Sequence, residues 1–87
     1  MPRVFIPAQL RDLTGGEAEL EAPGTTVREV VAALEREFPG MRNRLCRDDD
    51  LSPALQVSID DVLSRRGLDA RVRPMSEIHF LPVFGGG

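Results

Sequence analysis

Lysine is absent from this sequence: all eleven basic side chains are arginine. No side chain carries a primary amine, so the chain cannot receive an isopeptide bond or build lysine-linked chains on itself. Nucleotide-composition bias is the simplest origin, and the chemical consequence holds whatever the origin. Cysteine is nearly absent too. Cys46 stands alone, which excludes an internal disulfide, and no CxxC or Cys/His cluster exists to hold zinc. No apolar run approaches the length of a membrane span. The first residues, Met1-Pro2-Arg3-Val4, lack the layout of a secretory signal, and the expected compartment is the cytoplasm. There is no basic run, and the net charge is −3, which argues against a nucleic-acid binder.

What remains is an ordinary globular composition, 41% hydrophobic and 29% charged over 87 residues. That length fits one domain. Such a domain buries only about 60–65% of the surface its unfolded chain exposes. It folds alone but has little room for an enclosed active site.

Alternation marks the first strand: Val4, Ile6 and Ala8 on one face, Arg3, Phe5 and Pro7 on the other. Thr14-Gly15-Gly16 reads as a turn, and Glu17–Glu21 alternates again around Ala18 and Leu20, so a β-hairpin is expected. Thr26-Val27-Arg28-Glu29 is a capping-box pattern, with Glu29 expected to reach back to the Thr26 N–H. Val27, Val30, Val31, Leu34 and Phe38 then form one apolar helical stripe, stopped by Pro39-Gly40. Met41 and Leu45 suit a short helical turn, and Asp48-Asp49-Asp50 a surface loop. Leu55, Val57 and Ile59 alternate as a third strand. Asp60-Asp61 suggests a tight turn, with Val62-Leu63 a short continuation. After turns at Gly67–Asp69 and Pro74–Glu77, Ile78–Phe84 is a strongly apolar last strand.

This order predicts an α+β fold, a mixed four- to five-stranded sheet with one main helix packed across it. The right-handed crossover rule allows the first and last strands to lie side by side in the middle. That arrangement is the β-grasp, or ubiquitin-like, fold. It is expected over residues 1–84, with 85–87 a flexible glycine tail.

The usual catalytic sets are missing. His79, the only histidine, sits inside the last strand between Ile78 and Phe80 and reads as a strand-face residue. Cys46 has no base near it in sequence. Arg44 and Arg47 would activate it only by packing against it. The three adjacent aspartates lack the alternating spacing of a calcium loop. Thr14-Gly15-Gly16 lacks the lysine and following helix of a phosphate loop. The remaining candidate is the end of the chain, where apolar Phe80–Phe84 runs into Gly85-Gly86-Gly87. A terminus that must enter a narrow channel gains from having no Cβ, at the cost of ordering a floppy tail on binding.

Val4-Phe5-Ile6-Pro7, Leu10-Arg11 and Thr14-Gly15-Gly16, together with the ending Glu77–Gly87, resemble the ThiS/MoaD sulfur-carrier family. The opening is similar to its CysO-like branch. Gly86-Gly87 align with the family diglycine, and Gly85 stands where alanine is usual. The resemblance implies that a ubiquitin-activating-type adenylyltransferase consumes ATP to adenylate the Gly87 carboxylate, and that a sulfur nucleophile converts it to a thiocarboxylate. The carrier itself binds no cofactor or metal and is not an enzyme. Gly85 and Gly86 would thread the channel. Phe84 and Phe5 are docking candidates, although Phe5 serves equally well as ordinary packing. The acceptor would be a cysteine-synthase-like enzyme or the large subunit of molybdopterin synthase, and a thiazole or tRNA base is a further acceptor. Transfer to lysines of target proteins, as a ubiquitin-like modifier, is the alternative from another class.

Overall fold

The computed structural model describes residues 1–83; the expected last-strand residue Phe84 and the glycines Gly85, Gly86 and Gly87 lie outside it. Strands β1 (Arg3–Phe5), β2 (Glu19–Glu21), β5 (Leu55–Ile59), β6 (Val62–Ser64) and β7 (Glu77–Pro82) form a five-stranded sheet in the order β2-β1-β7-β5-β6. β1 and β7 are parallel neighbours, with Val4 opposite Ile78 and Phe5 opposite His79. β2 pairs antiparallel with β1, and β5 antiparallel with β7. Consequently β2 and β5 run the same way on either side of the central pair. Helix α1 (Val27–Glu37) makes the crossover between them. The architecture is the expected β-grasp.

The core lies between α1 and one face of the sheet. Val27, Val30, Val31 and Leu34 of the helix meet Val4, Ile6, Val57, Ile78 and Phe80 of the sheet, all at most 2% exposed. A helical period and a strand period each present one apolar face, and the two faces seal each other. Phe38, the last residue of the stripe, is only half-buried and caps the helix.

Several local expectations are corrected. No tight Gly-Gly hairpin turn joins β1 to β2. Pro7 ends the strand, its carbonyl accepts the Leu10 N–H at 2.9 Å, and a 3-10 helix spans Ala8–Thr14. Leu10 drives this insertion by burying its side chain in the core. Gly15, left-handed at φ 67°, closes the 3-10 helix, a conformation that favours glycine. Ala8 and Ala18 are exposed rather than inward. The ladder nonetheless continues past the strands through Ile6 N–H to Ala18 C=O at 2.8 Å.

Helix capping is also rearranged. The Thr26 hydroxyl accepts from the Glu29 N–H at 3.2 Å, as expected. The Glu29 carboxylate instead accepts from the N–H and hydroxyl of Thr25, at 2.7 and 2.9 Å. Residues 25–27 are held extended against Ala70–Val72 by an antiparallel bridge, and this sets the approach of the chain to the helix. The expected helical turn after Gly40 is α2 (Met41–Leu45). The segment read as a charged loop carries a small second sheet, β3 (Cys46–Arg47) with β4 (Asp50–Leu51), turning at left-handed Asp48.

Asp60 and Asp61 make the tight turn between β5 and β6 with φ values of 53° and 71°. Both central residues of such a turn need positive φ, and the usual choice is Asn-Gly. Asp60 has a compensating use. Its carboxylate accepts from the Glu77 N–H at 2.9 Å and the Ser76 hydroxyl at 3.2 Å. The turn therefore pins the start of β7.

Ile78→Ala should cost about 2–5 kcal/mol, because it leaves a void where strand and helix seal; urea denaturation measures it. A second prediction concerns acid. The Glu29 carboxyl is held below its ordinary value of 4.5 by the Thr25 N–H and then the Thr25 hydroxyl. The Glu35 carboxyl is held below its ordinary value by the N–H groups of Arg42 and Gly40. Each is ionised in the native state at pH values where the unfolded chain has begun to take up a proton. Their stabilisation is complete above the ordinary glutamate value and disappears as pH falls through the lowered native one. Glu29→Gln and Glu35→Gln should each flatten the acid limb of the stability–pH curve and leave its slope above neutrality unchanged.

Candidate functional site

Strand alternation sends Phe5, Ser58, His79 and Leu81 to the face away from α1. The registers then align them. Leu63 lies opposite Ser58, Ser58 opposite His79, His79 opposite Phe5, and Phe5 opposite Glu19. One row thus crosses all five strands. The rings of Phe5 and His79 stack with centroids 4.2 Å apart and planes within 4°. Stacking fixes the two rings against each other across the central strand pair. Phe5 is half-buried on the open face, where it packs against His79.

Polarity changes along this face. At the start of β1 and β7, Arg3 sits between Glu21 and Glu77 in the registers. It pairs with Glu19 at 2.9 Å and Glu77 at 4.0 Å. Toward the end of β7 the face becomes apolar. Leu63 is 56% exposed and Leu81 36%. A shallow groove there is lined by Phe5, Pro7, Arg11, Ala18, His79 and Leu81. The apolar end is the one from which the chain leaves the sheet. Val83 is still anchored, its N–H donating to Ala54 C=O at 2.9 Å.

The sequence-predicted glycines Gly85, Gly86 and Gly87, and Phe84, lie outside the described residues. Phe5 lies beside His79 on the open face and lines the groove with Leu81. Leu81 and His79 share its face, a placement legible from the alternation Glu77-His79-Leu81. Leu63 and Arg11 carry no such sequence signal. Leu63 reaches the face through the β5–β6 register, and Arg11 through the unexpected 3-10 helix.

The other candidates stay away from this face. Cys46 is 9% exposed in the core, where burial pushes its thiol up against smaller opposing pulls from Arg42 and Arg28. Asp48, Asp49 and Asp50 are exposed, and Arg42 approaches Asp49 at 3.7 Å. Among the described residues no group of three or more His, Cys, Asp or Glu side chains is placed to hold a metal. No helix among them is long and apolar enough to cross a membrane.

Comparisons with known proteins identify the family. The ThiS family model matches residues 4–87. The chain belongs to the ThiS family. It is a small carrier protein of the ThiS/CysO type, not an enzyme. It is 32% identical over 91 residues to the sulfur carrier protein CysO of Mycobacterium tuberculosis, covering 97% of this chain and 96% of that one. Its fold matches a chain in the crystal structure of the Amycolatopsis orientalis BexX/CysO complex with a TM-score of 0.91. Those two chains are 35% identical, and all of each is covered. It also matches small archaeal modifier protein 1 from Methanosarcina acetivorans, with a TM-score of 0.80 and 25% identity over 99% of this chain and 95% of that one.

A buried thiol with a raised pKa is a poor nucleophile. Cys46 should react with a thiol-specific disulfide reagent far more slowly in the native ThiS-family carrier than in urea. Native labelling as fast as the denatured rate would contradict its placement.

Proposed function

We propose that this chain is a cytoplasmic sulfur carrier whose reacting group is the Gly87 carboxylate. The observation that carries the reading is the full-length likeness to the chain in the BexX/CysO complex, at 35% identity and a TM-score of 0.91. A domain without a catalytic constellation fits such a role, in which partner enzymes supply the chemistry and the carrier supplies an addressable end.

A carboxylate is a poor electrophile and must first be activated. A ubiquitin-activating-type adenylyltransferase joins the Gly87 carboxylate to the α-phosphate of ATP, and pyrophosphate leaves. A sulfur nucleophile, sulfide or a partner's persulfide, then attacks the acyl carbon, and AMP departs. When a persulfide attacks, reductive cleavage of its S–S bond by a second thiol releases the thiocarboxylate. ATP is thus consumed on the partner, and the carrier holds no cofactor. Gly85 and Gly86 thread the partner's channel, where the missing Cβ atoms permit close backbone approach. Phe84 and the Phe5 face dock at its mouth. The sulfur goes to a biosynthetic acceptor. A cysteine-synthase-like enzyme is the acceptor favoured by the CysO likeness, with molybdopterin or thiamine synthesis as the alternatives. In the molybdopterin case this chain is the small subunit of the synthase.

The likeness to small archaeal modifier protein 1 favours a second reading, in which the same adenylate passes to a lysine of a target protein. A blot for covalent adducts of a tagged chain in cells separates the two.

The decisive measurement is intact mass after incubation with ATP, sulfide and the adenylating enzyme. The expected gain equals sulfur minus oxygen. Deleting Gly87 should abolish the gain and leave the melting temperature unchanged. A gain that survives the deletion would put the reacting group elsewhere.

A further inference from the structure

Arg11 is held unlike the other basic side chains around it. Its Nε–H donates to the Ile6 carbonyl at 3.1 Å, from the 3-10 helix back onto the end of β1. Among the described residues, neither terminal guanidinium nitrogen of Arg11 has a hydrogen-bond or ion-pair partner. Asp12 pairs with Arg44 at 3.6 Å, and Glu19 with Arg3 at 2.9 Å. Arg11 is half-buried and lines the groove of Phe5, Pro7, His79 and Leu81 at the root of the tail. The result is an oriented, planar cation set in an apolar wall.

We propose that Arg11 is a specificity-determining residue that pairs with a carboxylate of the adenylating enzyme at the mouth of the channel that receives the tail. The inference rests on the carrier reading above. A guanidinium offers two parallel N–H donors that match a carboxylate. The Nε bond has already restricted the side chain, so less rotamer freedom is lost on pairing. Docking covers the apolar walls and removes water, which strengthens the pair relative to an exposed one.

The anion that meets Arg11 is a carboxylate on the rim of the partner, the planar match for its two parallel N–H donors. The pair works as an address: it admits carriers with a cation at this point and penalises an acid there by like-charge contact.

The test is ATP–pyrophosphate exchange catalysed by the ubiquitin-activating-type enzyme that activates the wild-type chain, measured as a function of carrier concentration. Arg11→Gln should raise the KM for the carrier about tenfold, and Arg11→Glu further, with kcat unchanged in both. The fall of kcat/KM with salt should be shallower for Arg11→Gln than for wild type. Arg11→Lys should recover part of the KM loss. Reversing the partnered acid on the enzyme to arginine should rescue Arg11→Glu and not wild type. Thermal melting of each variant reports the fold separately. If Arg11→Gln melts early, rescue of Arg11→Glu by the enzyme's charge reversal still decides the question. A KM for Arg11→Glu within twofold of wild type, or no rescue by any reversal along the channel mouth, overturns the inference and leaves the carrier reading intact. Failure of every such enzyme to activate the wild-type chain overturns both.

Discussion

Parallel pairing of β1 with β7 brings the two ends of the chain together at the centre of the sheet. Parallel neighbours need a long connection, and the whole interior of the sequence serves as that connection. The pair is covered on one side by α1, which buries Val4, Ile6, Ile78 and Phe80. On the other side the same two strands present Phe5 and His79 as a stack. One register thus sets both the core and the open face. It also decides where the tail leaves, because β7 is flanked on both edges and its end is tied down by the Val83–Ala54 hydrogen bond. The end of β7 is thus held at a fixed point beside a fixed surface.

Polar groups do the local work of keeping that register. Asp60 occupies a left-handed turn position and offsets its backbone cost by accepting two hydrogen bonds from the start of β7. Glu29 and Glu35 cap successive helices. No buried side-chain nitrogen or oxygen among the described residues lacks a partner. The exposed ion pairs matter more for placement than for stability, since each contributes at most about 1 kcal/mol. Arg28 illustrates this: it joins Asp69 at 3.1 Å and the Asp49 carbonyl at 3.3 Å, linking α1 to the 3-10 helix Gly67–Asp69 and to the turn between β3 and β4. Arg3 offsets part of the negative charge of Glu19 and Glu77 at the start of β7.

The parts legible in the sequence were those governed by short-range periodicity. The stripe of α1, the inward Val4, Ile6 and Val57, and the outward His79 follow from spacing alone, and the β-grasp order follows from the elements. The misread parts share a cause. The Ala8–Thr14 segment alternates weakly enough to pass for a strand and turn, but Leu10 is worth burying and Pro7 stops the ladder, so tertiary packing selects a 3-10 helix. Glu29 finds Thr25 because residues 25–27 are already paired with residues 70–72, forty-odd positions away. The β3–β4 ribbon is too short to announce itself in a charged stretch.

By itself the sequence determined the inward side chains of α1 and of the central strands, because side-chain direction is a local property of helix and strand. Only the tertiary structure decided that Leu63, Ser58, His79 and Phe5 form one row and that Arg11 stands in the wall of the groove at its end. Those neighbours come from four strands and a 3-10 helix far apart in the chain. Their alignment depends on cross-strand register, which is set by turns and by the crossover and has no local signal.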